Sequence, residues 1–457
     1  MNSYINNIDI KFIELTNIYN EVLDITNLVT NIDIFESIYT STLNGYIHLI
    51  DSNDLPQFFP IVGGERLKIE MGLPFDGYEN YITLDFLIYR MSDREIKSNT
   101  TQHYKLWFTS FETLTNIENI ISKSFKGYTA LDIIKYTLKS LNTDKNLNYD
   151  DTIGVFDYIS PSIRPFELIN TIVKNYSIND ISADFIFFES LGKDGASFNF
   201  KSISNIFKNE SPIGEIEFKQ KHKSAKNPFL YTNVPESINF KKSFDIVESK
   251  VNGLMSQSII HHDLLRKRYE IQKYDYNNEN MNYKADKLGY KTFDDNLLGK
   301  YSEFIRYSFS SSFSSSTSAK GYVDNSNNTS ITKKKNRNEN SYIKENQSDY
   351  TSDVLTDIIS KRAVALQEFE NNKIYINDLT GDLKYNAGSV IVFSKPNIVY
   401  NQQEYIDKYG DNKDLFISGN YLITKSRHNI IKSPIGFEYK NYLEIAKNTF
   451  KNSLDIL

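Results

Sequence analysis

The sequence contains Phe86-Leu87-Ile88-Tyr89-Arg90 and, further on, Tyr104-Lys105-Leu106-Trp107-Phe108. This pattern is the most informative about the fold because it occurs twice in the chain. The second copy reads Tyr421-Leu422-Ile423-Thr424-Lys425 and continues at Tyr439-Lys440-Asn441-Tyr442-Leu443. In both copies the first aromatic residue precedes the Tyr-Lys pair by 18 residues, and a basic residue closes the first pentapeptide. Apolar and polar side chains alternate in each segment, which is typical of strands that are buried on one face.

A glycine and a further strand-like segment precede each copy. These segments run from Gly64 to Pro74 and from Gly388 to Pro396. The matched spacing predicts an internal duplication, with two related small β-barrels in one chain. The alternative is that two amphipathic hairpins resemble each other by chance, since alternation of aromatic and apolar residues is common to strands. If the duplication is real, three subunits around an axis would present six similar units.

Composition indicates a large, β-rich protein. The 457 residues correspond to about three domains of ordinary size, and the 32 Tyr and 30 Phe favour strands. Lys and Arg total 52 against 58 Asp and Glu, a net charge of -6 with the two signs interspersed. Nucleic-acid binding through general phosphate neutralisation is therefore not expected. The absence of cysteine excludes disulfides, thiolate metal sites and cysteine nucleophiles.

No apolar segment approaches the length of a membrane span. The longest compact runs are short, such as residues 390–393, whereas a spanning helix needs about 20 apolar residues. Residues 1–7 have neither the basic start nor the apolar centre of a signal peptide. We expect no stable membrane insertion.

Local patterns divide the first half of the chain into two regions. Residues 1–114 form the first β-barrel domain, with a hairpin turn at Asn44-Gly45 and strands at 66–71, 81–91 and 103–111. Residues 115–212 form an inserted α+β domain. Its first helix has Thr129 as N-cap, its second begins at Pro165, and a hairpin over 184–200 turns at the glycine-containing segment 192–195.

The second half is divided in the same way. Residues 213–352 form a mixed region, strand-like at 215–218 and 252–255, with a polar Ser/Asn/Lys-rich insertion at 308–352. Residues 353–457 contain a helix at 353–369, followed by the strands of the second β-barrel. Val354, Ile358, Ala365 and Leu366 lie on or near one face of that helix.

The sequence contains no strong catalytic, cofactor or metal motif. It lacks a nucleotide-binding glycine loop and the short motifs of metalloproteases and serine hydrolases. The most metal-like cluster is His261-His262-Asp263, but adjacent residues seldom share a metal because they point in different directions. The carboxylate pairs Glu65 with Glu70 and Asp378 with Asp382 leave glycoside hydrolysis open, since such sites are defined by distance in space. Solvated surface carboxylates are the commoner explanation. For the basic segment 333–337, loop solubility or contact with an acidic neighbour is preferred over nucleic-acid contact.

Several motifs resemble the baseplate hub proteins of contractile-tailed phages, most closely the T-even type. The C-terminal match includes Leu379-Thr380-Gly381-Asp382-Leu383, Asn386-Ala387-Gly388-Ser389-Val390-Ile391, Ile417-Ser418-Gly419-Asn420-Tyr421 and His428. Arg164-Pro165-Phe166-Glu167-Leu168-Ile169 resembles the start of a helix shared by these hubs and the spike proteins of type VI secretion. Residues 290–350 have no counterpart in this resemblance.

The resemblance implies two tudor-like barrels per subunit and a homotrimeric ring. In the family such a ring joins a sixfold tail tube, or its initiator proteins, to a threefold central spike. Baseplate wedge proteins surround it, and DNA passes through its lumen without specific binding. From the residues alone, Gly381 and Gly388 are expected to take positive φ in tight turns, and Gly419 to begin a strand that a neighbour approaches closely.

We therefore expect a non-enzymatic structural protein of the virion baseplate, of α+β, β-rich class, with no cofactor and no metal. A cell-wall hydrolase or a carbohydrate-binding adhesin of a tail are the alternatives. The structural motif residues are Gly64, Phe86, Tyr104, Trp107, Arg164, Pro165, Phe166, Gly381, Gly388, Gly419, Tyr421, Tyr439 and Tyr442.

Overall fold

The computed structural model shows a β-rich protein with one large sheet and a few helices. The described residues are 7–72, 81–98, 100–179, 182–192, 194–218, 234–242, 245–253, 256–263, 268–275, 305–310, 323–324, 329–330, 358–359, 361–363, 365–367, 369, 372–397, 413–414 and 417–447. The predicted α+β, β-rich class is confirmed. The two tudor-like barrels and the four domain boundaries stay predictions.

The strands follow one another along the chain in the order in which they are numbered. They are β1 Asn7–Thr16, β2 Val22–Asp24, β3 Val29–Ser37, β4 Asn44–Asp51, β5 Arg66–Gly72, β6 Tyr81–Ser98, β7 Thr101–Thr109, β8 Ser124–Tyr128, β9 Leu147–Tyr149, β10 Phe156–Ile159, β11 Phe185–Gly192, β12 Gly195–Ser202, β13 Glu215–Glu217, β14 Ser237–Lys242, β15 Ser256–Asp263, β16 Arg268–Asp275, β17 Ile305–Ser310, β18 Val323–Asp324, β19 Thr329–Ser330, β20 Lys373–Thr380, β21 Val390–Ser394, β22 Gly419–Ser433 and β23 Gly436–Ala446.

The helices lie between these strands. They are α1 Leu55–Phe58, α2 Glu112–Glu118, α3 Ala130–Ser140, α4 Pro165–Asn175, α5 Ile203–Asn209 and α6 Ile246–Val251. The described residues between 358 and 369 are also helical, with Ile358 and Ala365 buried, as predicted. Val354 and the segment 333–337 lie outside the described residues. Within the described part of the chain, no helix is long and apolar enough to cross a membrane.

The large sheet closes on itself through the C-terminal hairpin. Its strands run in the order β13-β21-β22-β3-β4-β7-β6-β5-β1-β23-β20-β14, and β22 also pairs with β23. The strands from β22 through β3, β4, β7, β6, β5 and β1 to β23 thus form a closed circuit. Its interior is filled from both ends of the chain, since Ile34 and Phe86 share one core with Ile430 and Tyr439.

The two copies of the repeated sequence have the same hydrogen bonds. The Gly64 N–H donates to the Ile88 carbonyl over 2.8 Å, and the Gly388 N–H donates to the Ile423 carbonyl over 2.8 Å. In each copy the isoleucine N–H donates back to the carbonyl that follows the glycine. Ile88 and Ile423 occupy the same place in the two pentapeptides, and a β-bulge follows each of them. We name Gly64 with β5–β7, and Gly388 with β21–β23, the two copies of the repeated unit.

The strand registers of the two copies agree on one side and differ on the other. Leu67 lies opposite Phe86 in β5 and β6, and the matching Ile391 lies opposite Tyr421 in β21 and β22. Between the second and third strands, Ile88 faces Phe108, whereas Ile423 faces Ile445, two residues beyond the position that the spacing matches. The strand pairing therefore repeats as the spacing predicts, apart from this shift.

The elements predicted for the insertion are confirmed. The hydroxyl of Thr129 accepts from the Asp132 N–H, and the Asp132 carboxylate accepts from the Thr129 N–H, so a capping box begins α3. Pro165 is the first residue of α4, and β11 and β12 form the hairpin, with its turn after Gly192.

Two predicted features are wrong. Asn44-Gly45 is not a turn: both residues lie in β4, where Gly45 faces Ile34. A Cβ on Gly45 would lie 2.1 Å from the Asp33 carbonyl and 2.5 Å from the Phe108 ring, so the glycine permits close approach of two strands. Residues 252–253 are not a strand but a turn that follows α6, while 254–255 lie outside the described residues.

Candidate functional site

The predicted aromatic motif residues lie mainly in the core. Phe86, Tyr104, Tyr421 and Tyr439 are buried, and each tyrosine hydroxyl has a hydrogen-bond partner. Burial raises the pKa of all three tyrosine hydroxyls. Their role is therefore core filling with a satisfied polar tip.

Trp107 and Tyr442 lie half-buried on the outer side of the circuit. The Trp107 indole donates to the Ser92 hydroxyl over 2.8 Å. The Tyr442 hydroxyl donates to Asp378 over 2.7 Å, and the Arg427 guanidinium lies 5.2 Å from the Tyr442 ring centre. Both aromatic side chains thus join neighbouring strands across the outer surface.

The predicted reasons for Gly381 and Gly419 are exchanged in the structure. Gly381 does not take positive φ; its Cβ would lie 2.1 Å from the Tyr439 ring. Gly419 begins β22 as predicted, but at φ +142 and with only the Lys447 ammonium 4.0 Å from its Cβ position. Gly388 takes φ +87, as predicted, and its Cβ would also lie 2.3 Å from the Phe188 ring. Local sequence does not distinguish a turn glycine from a contact glycine.

The Arg164-Pro165-Phe166 motif starts α4 of the insertion. Arg164 is exposed and is the N-cap residue, with extended backbone and no side-chain cap. Pro165 and Phe166 are buried, and Phe166 lies near the rings of Phe187 and Phe198. The motif therefore fixes the helix onto the hairpin β11–β12.

β11 packs against two different hydrophobic cores, one on each of its faces. It is buried from Phe185 to Leu191. Phe185 and Phe187 face the core around α3 and α4, whereas Ile186 and Phe188 face a second core with residues near the C-terminus. The two sides of one strand thus connect the insertion to the rest of the molecule.

Two buried glutamates hold β11 reciprocally, and we name this arrangement the carboxylate clasp. Glu36 of β3 accepts the Leu191 N–H of β11 over 3.1 Å, and Glu189 of β11 accepts the Leu43 N–H, which precedes β4, over 2.8 Å. Glu36 also accepts the Ala387 N–H over 2.7 Å. Because a buried carboxylate needs several donors, each glutamate ties separate segments together.

Glu36 is the end of a buried hydrogen-bonded chain. The Asn441 amide oxygen accepts the Asp382 N–H over 2.6 Å, so its NH₂ group faces the Nδ1 atom of His428 at 3.0 Å. The Tyr439 hydroxyl also lies 2.6 Å from Nδ1. Nδ1 is therefore an acceptor, and the Nε2–H of His428 donates to Glu36 over 2.8 Å.

Glu189 belongs to a second buried ionic cluster. The Lys145 ammonium lies 2.6 Å from Glu189 and 2.7 Å from Glu112. Burial lowers the pKa of Lys145, but the two carboxylates outweigh this and raise its pKa on balance. Burial raises the pKa of Glu189. Ser110 donates a further hydrogen bond to Glu189, which satisfies the carboxylate away from water.

Asp184, directly before β11, is a third buried carboxylate. It accepts hydrogen bonds from the hydroxyls of Ser182, Ser202 and Ser204. Arg362, from the C-terminal helical residues, donates to the Phe185 carbonyl. Burial lowers the pKa of Arg362 to about 10. β11 is thus tied at both ends to other segments.

The carboxylates of the two candidate pairs are engaged in structural contacts. His261, His262 and Asp263 are consecutive residues of β15. Among the described residues, no group of three or more His, Asp or Glu side chains is placed to hold a metal ion. Each carboxylate of the two proposed pairs has its own partners: Glu65 with the N–H groups of Val62 and Gly63, Glu70 with Lys11, Asp378 with Lys440 and Tyr442, and Asp382 with Lys384.

Sequence reasoning missed the carboxylate clasp. A signal for it exists, because Ile32, Ile34, Glu36 and Ile38 occupy every second position of a strand-like segment, which puts Glu36 on the same face as three isoleucines. A charged residue in an apolar register indicates a buried, paired group. The donors come from residues distant in sequence, and no local pattern identifies them.

Two solved tail proteins share this fold along nearly their whole length. A tail protein from Neisseria meningitidis MC58 matches with a TM-score of 0.51 and 10% identity, over 96% of this chain and 97% of that chain. A 43 kDa tail protein of prophage MuSo2 from Shewanella oneidensis matches with a TM-score of 0.51 and 10% identity, over 96% of this chain and 98% of that chain. This chain has the fold of these tail proteins.

A weaker match is a PdpA-VgrG complex from Francisella, with a TM-score of 0.42 and 12% identity, over 98% of this chain and 59% of that chain. No protein-family profile matches the sequence. No curated protein matches it either.

Proposed function

We propose that this chain is the structural baseplate hub of a contractile phage tail. Three copies form a ring that connects the sixfold tail tube, or its initiator proteins, to the threefold central spike. Baseplate wedge proteins surround the ring, and DNA passes through the lumen without specific binding. The proposal places the protein in the virion and gives it no catalytic role.

The observation that carries this proposal is the repeated unit inside a tail-protein fold. Two copies with matching glycines and bulges, and with the same register between their first two strands, allow a threefold assembly to present six similar surfaces. The carboxylate clasp adds a mechanical argument, because buried and mutually satisfied groups hold the insertion firmly against the sheet. Rigid attachment suits a part that transmits force during tail contraction.

Light scattering on the full-length protein tests the trimer. A mass of three chains over a wide concentration range is expected, and negative-stain images should show rings. A strict monomer, also in the presence of spike and tube proteins, would contradict the hub.

A cell-wall degradation assay tests the absence of catalysis. Purified protein should leave peptidoglycan intact, and clearing would favour the hydrolase alternative.

A further inference from the structure

The two copies of the repeated unit have different neighbours. After its bulge, β22 pairs with β3 over residues 425–431. The matching residues of the first copy are 90–96 of β6, and among the described strands β7 is the partner of this segment. In the second copy β3 therefore pairs along this edge of β22, whereas no described strand pairs along the matching edge of β6 in the first copy.

β14 occupies in the second copy the position that β3 occupies in the first. β3 pairs antiparallel with β4, which pairs with β7; β14 pairs antiparallel with β20, which pairs with β23. When β7 and β23 are aligned by the observed pairs Ile88–Phe108 and Ile423–Ile445, Ile34 of β3 and Phe240 of β14 fall at the same place in these two ladders. The described pairings of the large sheet end at β14.

Residues at these unpaired edges are also more exposed than the matching residues at the paired edges. Thr424, the bulge residue of the second copy, is fully buried, and its carbonyl accepts the Ile38 N–H that follows β3. Its counterpart Tyr89 is 49% exposed. Ile34 is fully buried, whereas Phe240 is 43% exposed. Half-exposed aromatic side chains therefore lie where the other copy has an intramolecular contact, and aromatic residues are enriched at protein interfaces.

We propose that β14 of one subunit pairs antiparallel with the outer edge of β6 in a second copy of this chain, as β3 pairs with β22 within each chain. This inference rests on the proposed trimeric hub and names its interface. Such strand addition supplies main-chain hydrogen bonds between subunits. Because each subunit contributes two different edges, the contact is head-to-tail and can close into a ring.

The internal contact also gives the register of the subunit contact. Arg427 lies opposite Phe35 within the chain. Counting one residue on from Ile34 and Phe240 places Ser92 opposite Lys241 of the next subunit, at the β-bulge between Phe240 and Lys242. Asp93 has φ +53 and interrupts the β6 ladder. The same matching places residues 91–96 of β6 opposite residues 237–242 of β14, with Asp93 interrupting the segment.

Cysteine cross-linking tests this contact directly, because the chain contains no cysteine. The double variant Ser92→Cys with Lys241→Cys should give covalent dimers and trimers under mild oxidation. A disulfide requires Cα atoms within about 7 Å. Each single variant should give none, since the two edges differ. Ser92→Cys with Ile159→Cys is the matched control, because Ile159 is 54% exposed on β10 of the insertion.

The outcomes separate the interface from the hub. A trimer whose cross-linking does not exceed the control would overturn the interface and leave the hub standing. Cross-linking of a single variant would overturn the head-to-tail arrangement. A monomeric wild-type chain would overturn both. Hydrogen exchange on the unmodified protein gives a second measurement: residues 91–96 and 237–242 should exchange more slowly in the oligomer than after dilution to monomer, and equal rates would contradict the proposal.

Discussion

At the residue scale, Gly388 combines two constraints that are separate elsewhere. It has positive φ, and a Cβ would lie 2.3 Å from the Phe188 ring. Gly64, its counterpart, has φ +99 with nothing within 4 Å of the Cβ position. We predict that Gly388→Ala lowers the free energy of unfolding by several kcal/mol, since left-handed strain costs about 1–2 kcal/mol and overpacking adds about 1–3 kcal/mol. Urea denaturation measures the loss.

Gly64→Ala is the matched control and should lose only the backbone part, about 1–2 kcal/mol. Phe188→Leu should recover part of the loss in the Gly388→Ala background, because it removes ring atoms near the new methyl group. Equal losses for the two alanine variants would contradict the steric contribution of Phe188.

Because of its buried tyrosines, we expect the protein to be less stable at alkaline pH. Burial raises the pKa of Tyr104, Tyr421 and Tyr439 in the folded protein, while tyrosines of the unfolded chain ionise near their usual pKa of about 10. Above that pH the native state retains more protons than the unfolded state, so the free energy of unfolding falls as pH rises. Urea midpoints between pH 8 and 11 should therefore decrease. Tyr104→Phe should reduce the decrease, and a flat profile would be inconsistent with this explanation.

At the scale of elements, the carboxylate clasp determines how β11 is held. We predict that Glu36→Ala destabilises the protein by roughly 3 kcal/mol or more, because it leaves the N–H groups of Leu191 and Ala387 and the Nε2–H of His428 without their acceptor, at about 1–3 kcal/mol for each buried group. Thermal and urea unfolding measure the change, and proteolysis should cut near β11 first.

Glu70→Ala provides the comparison, since Glu70 lies in the same sheet but pairs with the exposed Lys11. Its loss should be less than about 1 kcal/mol. If the two variants were equally stable, the clasp would not hold the insertion.

For the whole molecule, closure of the sheet by β22 and β23 links the two ends of the chain. Ile430 and Tyr439 fill the same core as the N-terminal strands, and β3 has β22 as a neighbour. We therefore predict that residues 1–114, expressed alone, do not unfold cooperatively. Circular dichroism and amide NMR dispersion measure this. A sharp thermal transition of the fragment would show that the first region folds without the C-terminal hairpin.

Local pattern was sufficient to predict most strands, the helices α3 and α4, and the repeated strand pairing, whereas α2 and α5 were not predicted. Period-two alternation, the Thr129 cap and Pro165 at a helix start act within a few residues, so they are visible in the sequence. The turn predicted at Asn44-Gly45 is wrong because a glycine that permits a turn also permits close strand contact.

The closed circuit, the carboxylate clasp and the exchanged roles of Gly381 and Gly419 emerged only from the folded chain. Each depends on contacts between residues far apart in sequence, as when Glu36 meets Ala387 and His428. Periodicity specifies which face of a strand is buried, but not which distant strand covers it, because many pairings satisfy the same alternation. The partner is chosen by steric fit and by the need to satisfy every buried polar group.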